Sequence, residues 1–250
     1  MKFEAFKDSV RLSMEDICEE FLARNRDRIK VKKDRVAVKN LAKIFEATLR
    51  VSNEKGFASM SLRDLSREAG LSMGALYSYI SSKDELLDMV QQQGRSLVFK
   101  ILGEHIEEIP DPREKLKAGI QTHLYLSEVV QPWFYFSYME TKNLPRGVHR
   151  KAIEAELFTE KIFAGIIEEG IGKGLFRKID PQMTSAALKA VLQDWYLKRW
   201  KHERRRLSVE QYAEFVIELM SAYLDAKEEK GGGSWTFRTG RLVFGRGKSS

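Results

Sequence analysis

The strongest constraint on this chain is the stretch from Ser61 to Leu87, SLRDLSREAGLSMGALYSYISSKDELL, in which helix start and stop signals alternate at short intervals. Ser61 precedes Asp64 by three residues, the spacing of a capping box, and this predicts a helix that starts at Leu62. Gly70 follows at the position of a left-handed cap and ends that helix. The first helix of the stretch is therefore limited to roughly two turns.

A second and a third helix follow directly. Ser72 is a good N-cap for a helix predicted over residues 73–80, and Ser82 with Glu85 repeats the capping box. A helix, a glycine-containing turn and a short second helix together form a helix-turn-helix, which places its second helix in the major groove of DNA. A short helical hairpin that has two caps and binds no DNA is the alternative that this pattern leaves open.

The residues left outside this second helix and its flanks suit contact with DNA, because they are small, hydroxyl-bearing or aromatic and none is acidic. Gly74 costs about 1 kcal/mol relative to alanine in a helix, and close approach of the backbone to DNA is one reason for it. Lys83 combines a positive side chain with the positive end of a helix, as in a phosphate clamp. The predicted DNA-binding residues are Ser61, Ser72, Met73, Gly74, Ala75, Tyr77, Ser78, Tyr79 and Lys83.

The same region carries a series of short motifs, which in chain order are Lys55-Gly56-Phe57, Ser59-Met60-Ser61-Leu62-Arg63-Asp64-Leu65, Glu68-Ala69-Gly70-Leu71-Ser72, Gly74-Ala75-Leu76-Tyr77 and Ser82-Lys83-Asp84-Glu85-Leu86-Leu87. Together they make residues 36–90 resemble the DNA-binding domain of tetracycline-repressor (TetR) type regulators. Ser61 stands where that family more often has threonine, and Ile80 where it usually has phenylalanine. Both departures keep the chemistry, a phosphate-binding hydroxyl and a core hydrophobe.

The resemblance implies an all-α fold, with an N-terminal three-helix helix-turn-helix DNA-binding domain followed by a helical ligand-binding and dimerisation domain. Family members usually dimerise through a four-helix bundle of their last two helices, which residues 182–203 and 208–226 resemble. Both helices also carry more apolar surface than one side of a bundle needs. A two-fold homodimer matches a palindromic operator in double-stranded DNA.

The favoured function is therefore a transcriptional regulator, a repressor that a small molecule releases from DNA. The resemblance implies an apolar effector such as a fatty acyl-CoA and no other cofactor. The alternative is a helical adaptor or scaffold that uses its helix-turn-helix for protein contacts.

Aromatic residues crowd the segment from Trp133 to Tyr138 and the helix that follows it. They either line an apolar cavity or form ordinary core, which is the commoner role of aromatic residues at helical spacing. In a cavity, tyrosine hydroxyls, His123 or Asn143 would hold the polar end of a ligand. The predicted ligand-binding residues are His123, Trp133, Tyr135, Tyr138, Asn143, Phe158, Phe163 and Trp195.

Three further segments complete the predicted organisation. Residues 1–35 combine an amphipathic helix over 1–23, which packs on the protein or docks a partner, with a basic arm over 24–35. That arm either follows the DNA phosphates or is simply solvated. Residues 91–230 form the helical domain, and residues 231–250 form a glycine-rich linker with a basic tail to which we assign no function.

Composition excludes several classes of function. The net charge of +7 over 250 residues favours a polyanionic partner, and a single cysteine, Cys18, rules out an intrachain disulfide. No segment has the length of a membrane span or the pattern of a secretory signal, so we expect a bacterial cytoplasmic protein. The four histidines are scattered, and no phosphate-cradling loop or nucleophile elbow occurs. The sequence therefore predicts neither a metal site nor an enzyme.

Overall fold

The computed structural model of this chain describes residues 1–10, 12–140 and 146–225, without the side chains of residues 146–152 and 155. These residues form twelve α-helices and no β-strand, which confirms the predicted all-α class. The helices are α1 (Phe3–Val10), α2 (Met14–Arg24), α3 (Asp34–Lys55), α4 (Leu62–Glu68), α5 (Met73–Leu76), α6 (Lys83–Ile106), α7 (Pro112–Val129), α8 (Gln131–Glu140), α9 (Arg146–Gly172), α10 (Pro181–Leu197), α11 (Arg199–Arg204) and α12 (Val209–Leu224).

The N-terminal region forms two helices, so the prediction of one helix over residues 1–23 was wrong. Ser13 starts α2 as the N-cap of a capping box with Asp16, and such a cap requires an extended backbone where a continuous helix would pass. Phe6 and Phe21 are nevertheless buried, as the apolar stripe predicted. The stripe therefore packs on the protein itself.

The two N-terminal helices contact different parts of the chain. In α2, the Phe21 ring packs edge-on against Phe45 of α3, with centroids 5.3 Å apart. In α1, the Phe6 ring lies 5.7 Å from the Tyr125 ring of α7. The backbone N–H of Phe3 also donates to a carboxylate oxygen of Glu210 in α12, at 2.9 Å. The N-terminal extension thus spans from the helix-turn-helix region to the helical domain.

The helix-turn-helix consists of α4 and α5, supported by α3 and the start of α6. Gly70 adopts a φ of +64° and closes the turn between α4 and α5, as its position in the sequence predicted. The second helix ends at Leu76 and not at Ile80, because the N–H groups of Ser78 and Tyr79 bond three residues back, to Ala75 and Leu76. This tighter winding ends α5 before the next helix begins.

The helical domain is built around α7, which packs against α6, α9 and α12. Asp111 and Asp180 cap α7 and α10, and each is followed by a proline at the first helical position. The predicted helix over 182–203 is divided into α10 and α11 at Lys198, whose backbone leaves helical geometry. The predicted helix over 208–226 corresponds to α12.

The long helix α6 begins beside the helix-turn-helix and continues into the helical domain. Within the described ranges, no helix combines the length and apolar character that crossing a membrane requires. The candidate ligand residue Asn143 and the predicted tail over 231–250 lie outside the residues that the structure describes.

Candidate functional site

The helix-turn-helix exposes most of the residues predicted to contact DNA. Tyr77 is the most prominent large side chain, with 47% of its surface exposed directly after α5. Ser61, Ser72 and Gly74 are also exposed. Met73, Ala75 and Ser78 are half-buried. We call these seven exposed and half-buried residues the reading surface.

Tyr79 does not belong to the reading surface, and its predicted exposed position was wrong. Only 2% of its surface is exposed, and its hydroxyl accepts a hydrogen bond from the Asn40 side-chain amide at 2.9 Å. Burial raises the pKa of this phenol, and the bond from Asn40 offsets part of that rise. The tight turn after Leu76 rotates Tyr79 inward, where it packs α5 against α3.

Lys83 is engaged within the protein. Its ammonium group donates to the backbone carbonyl of Ala58 at 2.8 Å and lies 4.9 Å from the ring centroid of Phe57. Burial lowers the pKa of Lys83 below its usual value. The side chain therefore holds the connection before α4 in place, and its contact with a DNA phosphate stays a prediction.

Part of the basic segment between α2 and α3 lies against the reading surface. The backbone N–H of Lys30 donates to the carbonyl of Ser78 at 3.1 Å, and Arg28 forms a 3.0 Å ion pair with Glu85 of α6. The exposed cations of the basic arm, residues 24–35, are Arg24, Arg28, Lys30, Lys32, Lys33 and Arg35. The spacing of residues in the sequence does not predict this placement of the basic segment, because the placement results from the packing of α2 on α3.

The carboxylate of Glu85 makes different contacts from those predicted. The N–H of Glu85 donates to the Ser82 hydroxyl at 3.1 Å, which is one half of the expected capping box. Its carboxylate instead accepts from the backbone N–H and the hydroxyl of Ser81, each at 2.6 Å. The competing ion pair with Arg28 draws the carboxylate away from the Ser82 backbone.

A cavity of about 750 Å³ opens between α6, α7, α8, α9 and α10 in the helical domain. Its size lies within the range of about 300–1,000 Å³ that is typical of small-molecule sites. Of the eight predicted ligand residues, His123, Trp133 and Tyr138 line it. Apolar side chains from α6 and α8, with one from the end of α7, form much of the wall, and the main ones are Leu97, Val98, Phe99, Val130 and Phe134.

Four other predicted ligand residues take different positions. Trp195 is fully buried outside the cavity, and its indole N–H donates to Glu128 at 3.0 Å. Phe158 lies against the Phe99 ring, with centroids 4.5 Å apart, and Phe163 is buried behind His123. Tyr135 of α8 is not among the residues that line the cavity. These positions depend on which face each helix turns toward its neighbours, which the aromatic pattern alone does not give.

Sequence analysis missed the polar part of the cavity wall. Lys189, Glu156 and Gln193 line it together with His123. The Lys189 ammonium lies 3.1 Å from the His123 ring nitrogen Nε2 and 3.6 Å from the Glu156 carboxylate, which also accepts from Gln193 at 2.5 Å. Burial, and next the charge of Lys189, lowers the pKa of His123 well below its usual value, so the imidazole is neutral.

The helices that line the cavity also contact the DNA-binding region. The indole N–H of Trp133, in α8, donates to the Val90 carbonyl of α6 at 2.9 Å. At the other end of α8, the Glu140 carboxylate accepts from the backbone N–H of Phe57 at 3.1 Å. The Asn53 amide of α3 donates to the Pro132 carbonyl at 3.0 Å. These hydrogen bonds join α8 to α6, to α3 and to the connection that precedes α4.

Two family models match this chain. Residues 44–90 match bacterial regulatory proteins of the tetR family, and residues 110–224 match the tetracyclin repressor-like C-terminal domain. The chain belongs to the TetR family. It is thus a helix-turn-helix transcriptional regulator, as the resemblance over residues 36–90 implied.

Individual relatives and structures agree with the TetR assignment. The HTH-type transcriptional regulator HbdR of Aromatoleum sp. (strain CIB) is 23% identical over 74% of this chain and 80% of its own length. The solved structure of FadR from Bacillus subtilis with stearoyl-CoA has a TM-score of 0.61, 20% identity, and coverage of 73% of this chain and 98% of its own. AibR in complex with isovaleryl coenzyme A and operator DNA has a TM-score of 0.65, 19% identity, and coverage of 72% and 97%. These structures share the TetR fold.

Apolar side chains on α10 and α12 remain exposed in this TetR chain. Met183 on α10 is 70% exposed, and Leu219 and Tyr223 on α12 are 46% and 43% exposed. A groove of about 290 Å³ runs between these two helices. We call this surface the α10–α12 face.

Further observations concern metal and thiol chemistry. No group of three or more histidine, cysteine or acidic residues within the described ranges is arranged to hold a metal ion. Cys18 is buried, and burial raises the pKa of its thiol, in line with an inert structural cysteine.

We predict that Gly94→Ala disturbs the cavity wall. A Cβ atom at Gly94 would lie 2.5 Å from the indole nitrogen of Trp133, so the indole must move and lose its bond to Val90. The expected loss is about 1–3 kcal/mol in the free energy of unfolding, measured by denaturant titration. Gly103→Ala, on the same helix with no atom within 4 Å, is the control and should be neutral or stabilising by up to about 1 kcal/mol. Equal stability of the two variants would contradict the close packing of Trp133.

Proposed function

We propose that this TetR-family regulator is a repressor that binds a palindromic operator as a homodimer and is released when a small effector enters its cavity. It would act in the bacterial cytoplasm, where operator DNA is found. The observation that carries the proposal is that α6 and α8 both line the cavity and both contact the connection before α4.

The reading surface supplies the contacts with base edges in this proposal. Tyr77 and the half-buried Met73 project from α5, and an aromatic ring with an apolar neighbour suits contact with thymine methyl groups. The helix N-terminus capped by Ser72 directs backbone N–H groups outward, where they can bind a phosphate. Lys83 contributes indirectly by fixing the connection before α4, with phosphate contact as its second role.

An acyl thioester is the proposed class of effector. The apolar walls from α6 and α8 match an acyl chain, and the structures of FadR and AibR contain stearoyl-CoA and isovaleryl coenzyme A. A ligand shifts an equilibrium only by binding one conformation better than another. We propose that the acyl group separates α8 from α6, and that the Glu140–Phe57 contact transmits this movement to the helix-turn-helix.

The operator is tested by selection of bound sequences from a random DNA pool at about 0.15 M salt, where non-specific contacts are weakened. We expect one enriched palindrome, and Tyr77→Ala should lower the preference for it by about tenfold, a loss of roughly 1–3 kcal/mol in base discrimination. Trp200→Ala, which removes an exposed aromatic side chain of α11 that lines neither the cavity nor the α10–α12 groove, is the control. Absence of any enriched sequence from a folded dimer would instead favour the adaptor hypothesis.

The basic arm should contribute electrostatic affinity without sequence preference. Lys32→Ala combined with Lys33→Ala removes two exposed cations beside the reading surface, and each lost phosphate contact lowers the slope of log K against log salt by about 0.9. Because the operator-bound homodimer loses two cations in each subunit, we expect a slope smaller by about 3.6 in a salt titration of operator binding. The control is Lys161→Ala with Lys178→Ala, which removes two exposed cations from the helical domain. Equal slopes for both double variants would show that the arm is solvated.

The α10–α12 face is the proposed dimer interface, since exposed apolar surface of this extent marks association sites. Met183→Glu places a charge at its most exposed apolar position, and we expect monomers in sedimentation experiments at micromolar concentration. The variant should also lose most of its affinity for the palindrome, because two half-sites no longer bind together. Lys161→Glu is the control for added negative charge. A Met183→Glu variant that stays dimeric would locate the interface elsewhere.

A further inference from the structure

A pair of buried polar side chains lies in the cavity wall, where an apolar acyl chain offers them no hydrogen-bond partner. His123 is 1% exposed and Lys189 is 6% exposed, and both line the cavity. Their nitrogen atoms Nε2 and Nζ are 3.1 Å apart. Buried polar groups of this kind are costly unless each finds a hydrogen-bond partner.

The hydrogen bond between these two residues determines where the imidazole carries its proton. Burial lowers the pKa of Lys189, and the Glu156 carboxylate, 3.6 Å away, opposes that shift and favours the ammonium form, which donates hydrogen bonds but accepts none. Nε2 of His123 must therefore be the acceptor, and the proton of the neutral ring is on Nδ1. Nδ1 is buried and has no hydrogen-bond partner. His123, a residue of the cavity wall, thus carries an N–H donor that lacks an acceptor, and because Nδ1 is covered in this structure, a ligand oxygen reaches it when the ring turns toward the cavity.

The charges around the cavity indicate what kind of acceptor fits. Lys189 has the carboxylate of Glu156 beside it, and Arg95, the other cation of the wall, interacts with Asp88. Each cation therefore has an acid near it, although Nη1 of Arg95 has no hydrogen-bond partner. A further carboxylate on the ligand would be a buried and unbalanced negative charge, whereas a carbonyl or hydroxyl oxygen accepts a hydrogen bond at no such cost.

From the unpartnered Nδ1–H and this charge balance, we infer, building on the proposed acyl thioester site, that the effector carries an uncharged oxygen acceptor on its enclosed acyl part. The class is a keto- or hydroxyacyl thioester, in which the oxygen accepts from the His123–Lys189 pair. The rest of the acyl group lies against the apolar residues of α6 and α8. A plain saturated acyl chain leaves the histidine donor without a partner and binds more weakly.

The test compares acyl-CoA esters of equal chain length on the full-length wild-type protein by isothermal titration calorimetry. The probes are octanoyl-CoA, its 3-oxo, 5-oxo and 7-oxo derivatives, and octanedioyl-CoA, which ends in a carboxylate. We expect at least one keto ester to bind roughly tenfold or more tightly than octanoyl-CoA, the gain of one buried hydrogen bond to a strong donor. Octanedioyl-CoA should bind no more tightly than octanoyl-CoA.

A variant identifies the group responsible. His123→Phe removes the donor among aromatic neighbours, Phe134 and Phe163, and should abolish the preference for the keto ester while keeping affinity for octanoyl-CoA. His105→Phe, a histidine of α6 outside the cavity, is the control and should keep the preference. The wild-type comparison decides the inference even if His123→Phe does not fold.

The possible outcomes separate this inference from the proposed function. Equal binding of octanoyl-CoA and all keto esters by the wild type overturns the inference and leaves the acyl thioester proposal standing. Tightest binding of octanedioyl-CoA overturns the uncharged acceptor. Binding of none of these esters, by a protein that still enriches an operator, overturns the inference and the acyl thioester class together, while the DNA-binding function remains.

Discussion

The contact of Trp133 with α6 is the interaction on which the arrangement of this regulator depends. Its indole lies where a side chain at Gly94 would be, and its N–H group is bonded to the Val90 carbonyl. Only glycine permits this approach, because a single added carbon would overlap the indole nitrogen. The contact brings α8 against α6, and in doing so it forms one side of the cavity and positions Glu140 beside the DNA-binding region.

This arrangement combines two requirements in a small number of residues. The cavity needs an apolar wall that a ligand can displace, and the helix-turn-helix needs a fixed connection before α4. Trp133 belongs to that wall, while Glu140 and Lys83 hold the backbone of residues 57–58 from two sides. In the proposed mechanism, these hydrogen bonds to backbone atoms couple effector binding to DNA binding, and they do not depend on the identity of side chains in the connection.

Local signals in the sequence predicted the fold well, because capping is a local property. The starts of α4, α5 and α6 follow from Ser61, Ser72 and Ser82, and the turn follows from Gly70. The site was less predictable because it depends on rotation of each helix about its axis. Lys189, which the sequence analysis did not select, is buried in the cavity wall, and the tight turn after α5 moves Tyr79 into the core.

The N-terminal extension has a mechanical consequence for any change between the two states of the protein. Its first helix is packed on the helical domain through Phe6, and its second is packed on α3 through Phe21. Only the chain from Val10 to Met14 joins the two helices, and four residue steps span at most roughly 14 Å when fully extended. The extension therefore acts as a tether of fixed length, which limits how far the DNA-binding region can swing while both helices stay docked.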